Sequence, residues 1–362
     1  MLLRTASAGL CLLLAAGCSG KDSAGGGDSP EKLSSSAAAT TESAEAAQST
    51  AAGEPLPLAE VLASVDFAKF KFPAEATRTE TRATSAFFSI ASQGAEQTQA
   101  IVADLRAQLA AAGWKELPAS DPVVGDWGCQ LFSAKRGVIL QTSVGVSRGA
   151  ADGDELNATL LLVGCVDARD LPRPEPRSEQ SALPSMVLYT TKLDLKQLRE
   201  FYARELAALG WTECEYKEVP GVELPPAVVE RSQSFLKRSS RLTMNYFPPD
   251  PADAAAETRV FAQATVVKIE LPIIPDARLV QFADDPPYLY YYCPQDPPEI
   301  ESFYHERLAA AGYELEPVKP APSEKDDESS KISWLATPAT GDPLLVEFLD
   351  LGEHSVVQIK KK

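Results

Sequence analysis

Ser147 has the clearest chemical potential in the chain. It lies in Gly145-Val146-Ser147-Arg148-Gly149, which matches the G-x-S-x-G pattern of serine nucleophiles that stand on a sharp turn between a strand and a helix. The residues before Ser147 are strand-like, but 149–154 is rich in turn residues and 158–166 is again strand-like. We therefore expect Ser147 to lie between two strands, a context that does not build a nucleophile, and we predict no hydrolase activity.

Histidine and acidic residues form no other reactive cluster in the sequence. The two histidines are His305, on a predicted helix, and His354, in a predicted turn. Zinc and non-haem iron sites need clusters of His or Cys, and no such spacing occurs. The acidic runs 152–155 and 324–328 lack the calcium-loop pattern, and no glycine-rich loop precedes a lysine as in phosphate-binding loops. We predict no catalytic residue, no metal site and no cofactor.

A row of tyrosines is the strongest candidate for a binding surface. Within Tyr288-Leu289-Tyr290-Tyr291-Tyr292, the alternation of a strand places Tyr288, Tyr290 and Tyr292 on one face. Aromatic rows of this kind suit sugars or peptides. The matching run Met186-Val187-Leu188-Tyr189-Thr190 is largely apolar on both faces, which favours a central strand covered on both sides over a binding strand.

Three related segments locate the helices that must position these candidates. They read LRAQLAAAGW at 105–114, YARELAALGW at 202–211 and YHERLAAAGY at 304–313. A helix that ends at a glycine in the left-handed conformation packs the next residue against an apolar residue of its last turn. The glycines in that position are Gly113, Gly210 and Gly312, and the apolar residues are Leu109, Leu206 and Leu308. The repeated pair after each helix is therefore a helix stop rather than a ligand site.

The helices recur in units of roughly 100 residues, which is the size of one small domain. In the second copy, 186–189 predicts a buried strand, and Asp194 predicts a helix cap with Gln197 as its capping-box partner. In the third copy, Asp296 takes the cap position and Pro297 the first helical position. Strand-like runs follow each helix.

Each copy is thus predicted to be β-α-β-β-β, with one further leading strand expected at 278–282. The strands expected after the helices are 130–134, 138–146 and 158–166, then 234–237, 241–247 and 258–269, and finally 332–336, 344–349 and 355–359. The pattern predicts the α+β class, as three tandem small domains that each pack one helix on a mostly antiparallel sheet.

The N-terminal residues are typical of an export signal. Arg4 precedes the apolar stretch 6–17, which is too short to cross a bilayer as a helix, since that takes roughly 20 apolar residues. The stretch ends in Leu14-Ala15-Ala16-Gly17-Cys18, which resembles the lipobox of bacterial lipoproteins, although Ala15 stands where that family prefers leucine. The resemblance implies cleavage before Cys18, a diacylglyceryl group on its sulfur and acylation of its new amino group.

Two further expectations come from resemblance. In lipoproteins, a serine directly after the lipidated cysteine goes with sorting to the outer membrane, and Ser19 has that place here. The chain is therefore expected in the cell envelope, lipid-anchored and facing the periplasm or the cell surface. The FYxxxLxxxGW helix is similar to one that recurs in uncharacterised bacterial envelope proteins, a likeness that covers most of the mature chain and implies no activity.

The export-type stretch, the composition and the repeats together divide the chain into five regions. Residues 19–54 are mostly Gly, Ser, Ala, Thr and Glu, and such a segment cannot bury enough apolar surface to offset its ordering entropy. The regions expected are a signal peptide at 1–17, the lipidated cysteine with a disordered linker at 18–57, and repeat domains at 58–165, 166–268 and 269–362.

The charge balance and the cysteines limit the partners further. A net charge of −17, from 51 acidic and 34 basic residues, repels phosphate backbones and excludes nucleic acid as the expected partner. Beyond Cys11 in the signal and Cys18, four cysteines remain, which allow three disulfide pairings or serve as small buried hydrophobes. They are Cys129, Cys165, Cys214 and Cys293.

Three functions follow as hypotheses. The first is a non-catalytic envelope lipoprotein whose tandem modules bind another envelope protein, or pack on one another as a rigid stalk. The second is a small-molecule or glycan-binding module that uses Tyr288, Tyr290 and Tyr292. The third, and weakest, is a serine hydrolase that uses Ser147. All three share the membrane lipid attached through Cys18.

Replacing Cys18 tests the anchor directly. Cys18→Ser removes the sulfur that accepts the lipid, so we expect no incorporation of labelled fatty acid and loss of partition into the detergent phase. Cys11→Ser, inside the cleaved signal, is the matched control and should be labelled like the wild type. Unchanged labelling of the Cys18→Ser protein would contradict the lipobox assignment.

Overall fold

A computed structural model describes residues 54–118, 128–148, 154–216, 229–249, 257–284, 286–318, 331–339 and 342–362. Over these residues the chain has a mixed α/β fold that is rich in strands, with four helices and two large sheets. All described strand pairs are antiparallel except one. The expected class, helices packed on mostly antiparallel sheets, is confirmed at this level.

We call residues 58–165, 166–268 and 269–362 the first, second and third segments. The first segment builds a six-stranded sheet in the order β1-β2-β6-β5-β4-β3. Its elements are α1 (Leu58–Ala63), β1 (Arg78–Arg82), β2 (Ser85–Ala91), α2 (Ala95–Ala111), β3 (Lys115–Glu116), β4 (Gly128–Lys135), β5 (Val138–Arg148) and β6 (Asp154–Gly164).

The second and third segments share one twelve-stranded sheet. The second contributes β7 (Arg177–Leu183), β8 (Met186–Thr191), α3 (Leu195–Ala208), β9 (Thr212–Tyr216), β10 (Ser232–Lys237), β11 (Ser240–Phe247) and β12 (Thr258–Val266). The third contributes β13 (Arg278–Asp284), β14 (Pro287–Cys293), α4 (Pro297–Ala310), β15 (Tyr313–Pro317), β16 (Lys331–Pro338), β17 (Leu344–Asp350) and β18 (Ser355–Lys361). The sheet order is β15-β16-β17-β18-β14-β13-β9-β10-β11-β12-β8-β7.

The order of elements recurs in the three segments, but it is longer than expected. Each segment has two strands before its long helix and four after it, whereas the sequence predicted one or two before and three after. The strand missed in every copy directly follows the helix, as in β3 and β15, whose side chains are mostly exposed. Exposed β1 was missed for the same reason, because a strand without an apolar face leaves no periodic signal.

The helices α3 and α4 lie on opposite faces of the shared sheet. Phe235 of β10 packs in the core beneath α3, while its neighbour Leu236 packs in the core beneath α4. Successive strand residues point to opposite faces, so the two helices must cover opposite sides. Cys214 of β9 also lies in the core beneath α4, and the second and third segments therefore share buried residues.

The residues before α1 are fixed where all three segments meet. Leu56 N donates to Cys165 Sγ at 3.2 Å, and Leu56 O accepts from Ser239 Oγ at 2.5 Å. Leu58 N donates to Glu270 Oε2 at 2.6 Å, and Pro55 is buried. The last residues of the predicted linker, 54–57, thus contact the folded body. We call residues 54–58 the N-terminal strap.

The helix ends confirm the capping prediction in the second copy. Asp194 accepts a hydrogen bond from Gln197 N at 2.8 Å, and the Gln197 side chain accepts one from Asp194 N at 3.0 Å. At the other end Gly210 has a φ of 79°, and Trp211 N donates to Leu206 O at 3.0 Å. This is the Schellman arrangement, in which Trp211 packs back on the last turn. The same bond joins Trp114 N to Leu109 O at 3.0 Å.

Gly210→Val should destabilise the second segment. A β-branched residue must adopt the positive φ of 79° at that position, which costs on the order of 1–2 kcal/mol. The strained helix end would also weaken the packing of Trp211 on the last turn of α3. Denaturant melts of the purified protein measure the change. Gly210→Asn is the matched control, since asparagine tolerates the left-handed region, and it should lose less. Equal melts for the valine variant and the wild type would show that the glycine is not a helix stop.

Candidate functional site

The predicted lipidation residue, Cys18, lies outside the described residues, as do the signal peptide and most of the linker. Within the described part of the chain, every helix is too short or too polar to cross a membrane. The structure therefore bears on the binding surfaces and on Ser147, but not on the anchor.

Ser147 lies in β5, which pairs with the antiparallel strand β6. Its hydroxyl donates to Glu155 O at 3.3 Å and accepts from Asn157 Nδ2 at 2.7 Å. A nucleophile elbow needs a helix after the strand, and here Arg148 is paired with Asp154 at the start of β6. Ser147 thus lies within β5, near its end, and not between two strands as predicted, because β5 extends two residues beyond the predicted end at 146.

The remaining reactive groups are dispersed. Across the described ranges, no group of three or more His, Cys, Asp or Glu side chains is placed to hold a metal ion. The four cysteines in the described residues are free thiols, so none of the three possible disulfide pairings among them is formed. Burial raises the pKa of the Cys214 thiol to about 12 and that of Cys293 to about 11, so both thiols stay protonated and inert near neutral pH.

The tyrosine row alternates as predicted along β14. Leu289, Tyr291 and Cys293 are buried beneath α4, whereas Tyr288, Tyr290 and Tyr292 lie half-buried on the other face. The strand is central, between β13 and β18, but only one of its faces is fully covered. This differs from the expectation of a strand covered on both sides, because α4 covers just one face of the sheet.

Charged side chains lie on the same face of the sheet, on β16, β17 and β18. Lys360 lies opposite Tyr288, and its ammonium donates to Glu347 at 2.7 Å. Lys331 contacts the same carboxylate at 2.5 Å. Burial alone would raise the pKa of Glu347, but the hydrogen bonds from the two lysines lower it below its ordinary value. We call the three tyrosines with Lys331, Glu347 and Lys360 the tyrosine face.

The rings of the tyrosine face do not form a flat platform. Tyr290 and Tyr292 meet edge to face, with ring centroids 5.5 Å apart and an interplanar angle of 90°. Tyr290 OH donates to Tyr292 OH at 2.9 Å, which fixes this arrangement, and burial raises the pKa of Tyr290 to about 12. The Tyr290 hydroxyl is therefore a neutral hydrogen-bonding group at physiological pH.

A second candidate site is a groove of about 360 Å³ in the first segment. It lies between α2, the end of β2 and the chain at 71–75. Its floor is apolar and buried, formed by Phe88, Ile90, Ile101 and Leu105. Its rim is polar and comprises Lys71, Glu75, Gln93, Gln97 and Asp104. The volume falls within the range of small-molecule pockets, roughly 300–1,000 Å³.

In the second and third segments, pairs of tyrosines fill the space between the long helix and the sheet. Tyr189 OH lies 2.7 Å from Tyr202 OH, and Tyr291 OH lies 2.7 Å from Tyr304 OH. Burial raises the pKa of Tyr202 to about 12 and also raises the pKa values of the other three tyrosines. In the first segment the buried aromatic residue of the second strand is Phe88, so this hydroxyl pair is missing.

The groove was not predicted, although the sequence carried a signal for it. The helix motif begins with Phe-Tyr at 201–202 and 303–304, but with Asp104-Leu105 in the first copy. That departure from the repeat marks the position of the groove. Comparison with protein-family models, with curated proteins and with solved structures found no match to this chain.

The buried tyrosine pairs predict a loss of stability above about pH 10. The folded-state pKa of Tyr202 is raised to about 12, so its contribution is complete below about pH 10 and is lost as the pH rises towards about 12. Each such tyrosine loses about 1.4 kcal/mol per pH unit in that window. Denaturant melts at about pH 9 and about pH 11 measure this loss.

The double variant Tyr189→Phe/Tyr202→Phe should lose less stability between these two pH values than the wild type, because two buried hydroxyls no longer resist ionisation. Tyr288→Phe, on the half-buried face, is the control. An equal loss in the double variant and the wild type would exclude the pair as a source of the pH dependence.

Proposed function

We propose that this chain is a non-catalytic lipoprotein of the bacterial cell envelope that is anchored through Cys18 and binds a partner protein. The lipobox-like run before Cys18 and the export-type stretch 6–17 support the anchor. Through the same resemblance, Ser19 supports the outer membrane as the location. The composition of residues 19–54, which contain almost no large apolar side chain, supports a linker between the lipid and the folded residues.

We also propose that the folded part comprises three tandem domains, at 58–165, 166–268 and 269–362. Two observations support this division. The same succession of strands and one long helix recurs in each range, and each long helix sits over its own main cluster of buried apolar residues. The shared sheet and the strap at 54–58 would then join the domains into one scaffold.

The partner-binding role rests on the tyrosine face. Tyrosine is enriched at the cores of protein interfaces because it combines a large apolar ring with a hydrogen-bonding group. Around the tyrosines lie the cations Lys331, Lys360 and the exposed Arg278, and the carboxylate Glu347. The exposed Glu215 of β9, opposite Gln281, adds a second carboxylate on the same side of the sheet, so the face carries both signs of charge. Aromatic rings surrounded by charges of both signs suit a partner protein with a complementary polar surface.

The alternatives receive less support from the geometry. Sugars stack on the flat side of an aromatic ring, and the perpendicular rings of Tyr290 and Tyr292 offer no shared platform. Ser147 lies near the end of β5 and is paired with Glu155 of the antiparallel strand β6, without the strand-to-helix turn of a nucleophile. Small-molecule binding is the second candidate function, and the observation that favours it is the groove beside α2.

Cross-linking in intact cells tests the partner-binding role. A photoreactive residue replaces Gln358, which lies opposite Tyr290 on β18, and the cross-linked partner is recovered through the full-length chain. Tyr290→Ala/Tyr292→Ala should lower its recovery by about tenfold or more, since truncating an interface anchor costs about 2 kcal/mol.

Phe247→Ala is the matched control, because it removes an aromatic ring that is 46% exposed at the end of β11, away from the tyrosine face. It should leave recovery of the partner unchanged. The proposal fails if the tyrosine variant recovers the same partner as the wild type, or if Gln358 yields no cross-linked envelope protein.

A further inference from the structure

Two aromatic rings of the helix motif are missing from the first segment alone. In the second and third segments, Phe201–Tyr202 and Phe303–Tyr304 each form an edge-to-face pair, with ring centroids 5.2 and 5.3 Å apart. The phenylalanines pack against the core and the tyrosines are buried within it. The motif places Asp104 and Leu105 at the same two positions of α2.

The groove lies where those rings are missing. Asp104 and Leu105 both line it, and its floor includes Phe88, the aromatic residue that faces the helix from β2. In the first segment, the helix therefore presents a carboxylate and a smaller aliphatic side chain where the other segments present two rings.

The chain that crosses the helix is also held differently. In the third segment, Tyr304 OH donates to Pro272 O at 2.8 Å, and Tyr291 OH accepts from Ile274 N at 3.4 Å. In this segment, tyrosine hydroxyls therefore hold residues 272–274 against the core beneath α4. In the first segment, the Gln108 amide instead accepts from Lys71 N and donates to Lys71 O, both at 2.9 Å. Gln108 lies one turn beyond Leu105, so the crossing chain is secured without closing the groove.

We propose that the first segment binds a small aromatic amine in this groove. The ring would lie against Pro73, Ala100 and Ile101, above the buried Phe88 and Leu105, and supply the aromatic surface that the other segments contain themselves. The ammonium would lie at the rim, where the carboxylates of Asp104 and Glu75 outnumber the single cation Lys71. This site is separate from the tyrosine face, and the inference does not depend on the proposed partner.

Ligand-observed NMR on the purified full-length chain tests the inference with two probes of opposite charge. The first is 2-phenylethylamine and the second is 3-phenylpropionate, which has the same ring and spacer but the opposite charge. The amine should bind about fivefold more tightly, the size expected of one exposed charge pair. Asp104→Asn preserves the shape of the groove and should remove most of that preference.

Two further variants test whether the preference for the amine comes from the groove itself. Glu96→Gln removes the same charge from an exposed position of α2 that does not line the groove, and should leave the preference unchanged. Asp104→Phe places the first ring of the motif over the groove, at an exposed position, and should abolish binding of both probes while the protein stays folded.

The proposal is overturned if the amine does not bind at millimolar concentration, if Asp104→Asn keeps the full preference, or if the Asp104→Phe variant, folded as judged by its melt, binds like the wild type. Binding of a blocked Phe-Lys dipeptide without binding of the free amine would likewise overturn it, in favour of a peptide ligand.

Discussion

The parallel pairing of β9 with β13 is the contact on which the arrangement of surfaces depends. It sets Gln281 opposite Glu215 and Phe282 opposite Tyr216, at the one point where the chain joins two antiparallel arrays side by side. Because strand residues alternate between faces, this register places α3 and α4 on opposite sides of the same sheet. The face of β14 that α4 leaves uncovered, with its tyrosines, is therefore on the side that α3 occupies further along.

Because the second and third segments share one sheet, they also share buried core residues. Leu236 and Cys214 belong to strands of the second segment, yet both are buried beneath α4 of the third. Burying an apolar side chain contributes roughly 1.5–3 kcal/mol, so neither segment retains all of its core if the pairing is broken. The second and third segments are therefore held together by shared buried residues and a shared sheet, and not only by the chain that links them.

The sequence predicted what depends on local periodicity and on single residues. The helix stop at Gly210, the cap at Asp194 and the alternation along β14 were all predicted, because each follows from the geometry of one element. Contacts set by register between distant strands were not. The ion pairs of Glu347 with Lys331 and Lys360 join three strands whose pairing no local pattern specifies. The groove is indicated by a difference between the copies. Asp104-Leu105 stands where the other two copies have Phe-Tyr.

The N-terminal strap has a consequence for force. Glu54 lies 3.4 Å from Arg238, which also contacts Glu270 at 3.4 Å, and Leu56 is bonded at both its N–H and its carbonyl. Tension on the chain before Glu54 is thus divided at once among residues of the second and third segments and Cys165 of the first. A pull on the residues before Glu54 would therefore load the junction of all three segments together, and no single segment would have to resist it alone.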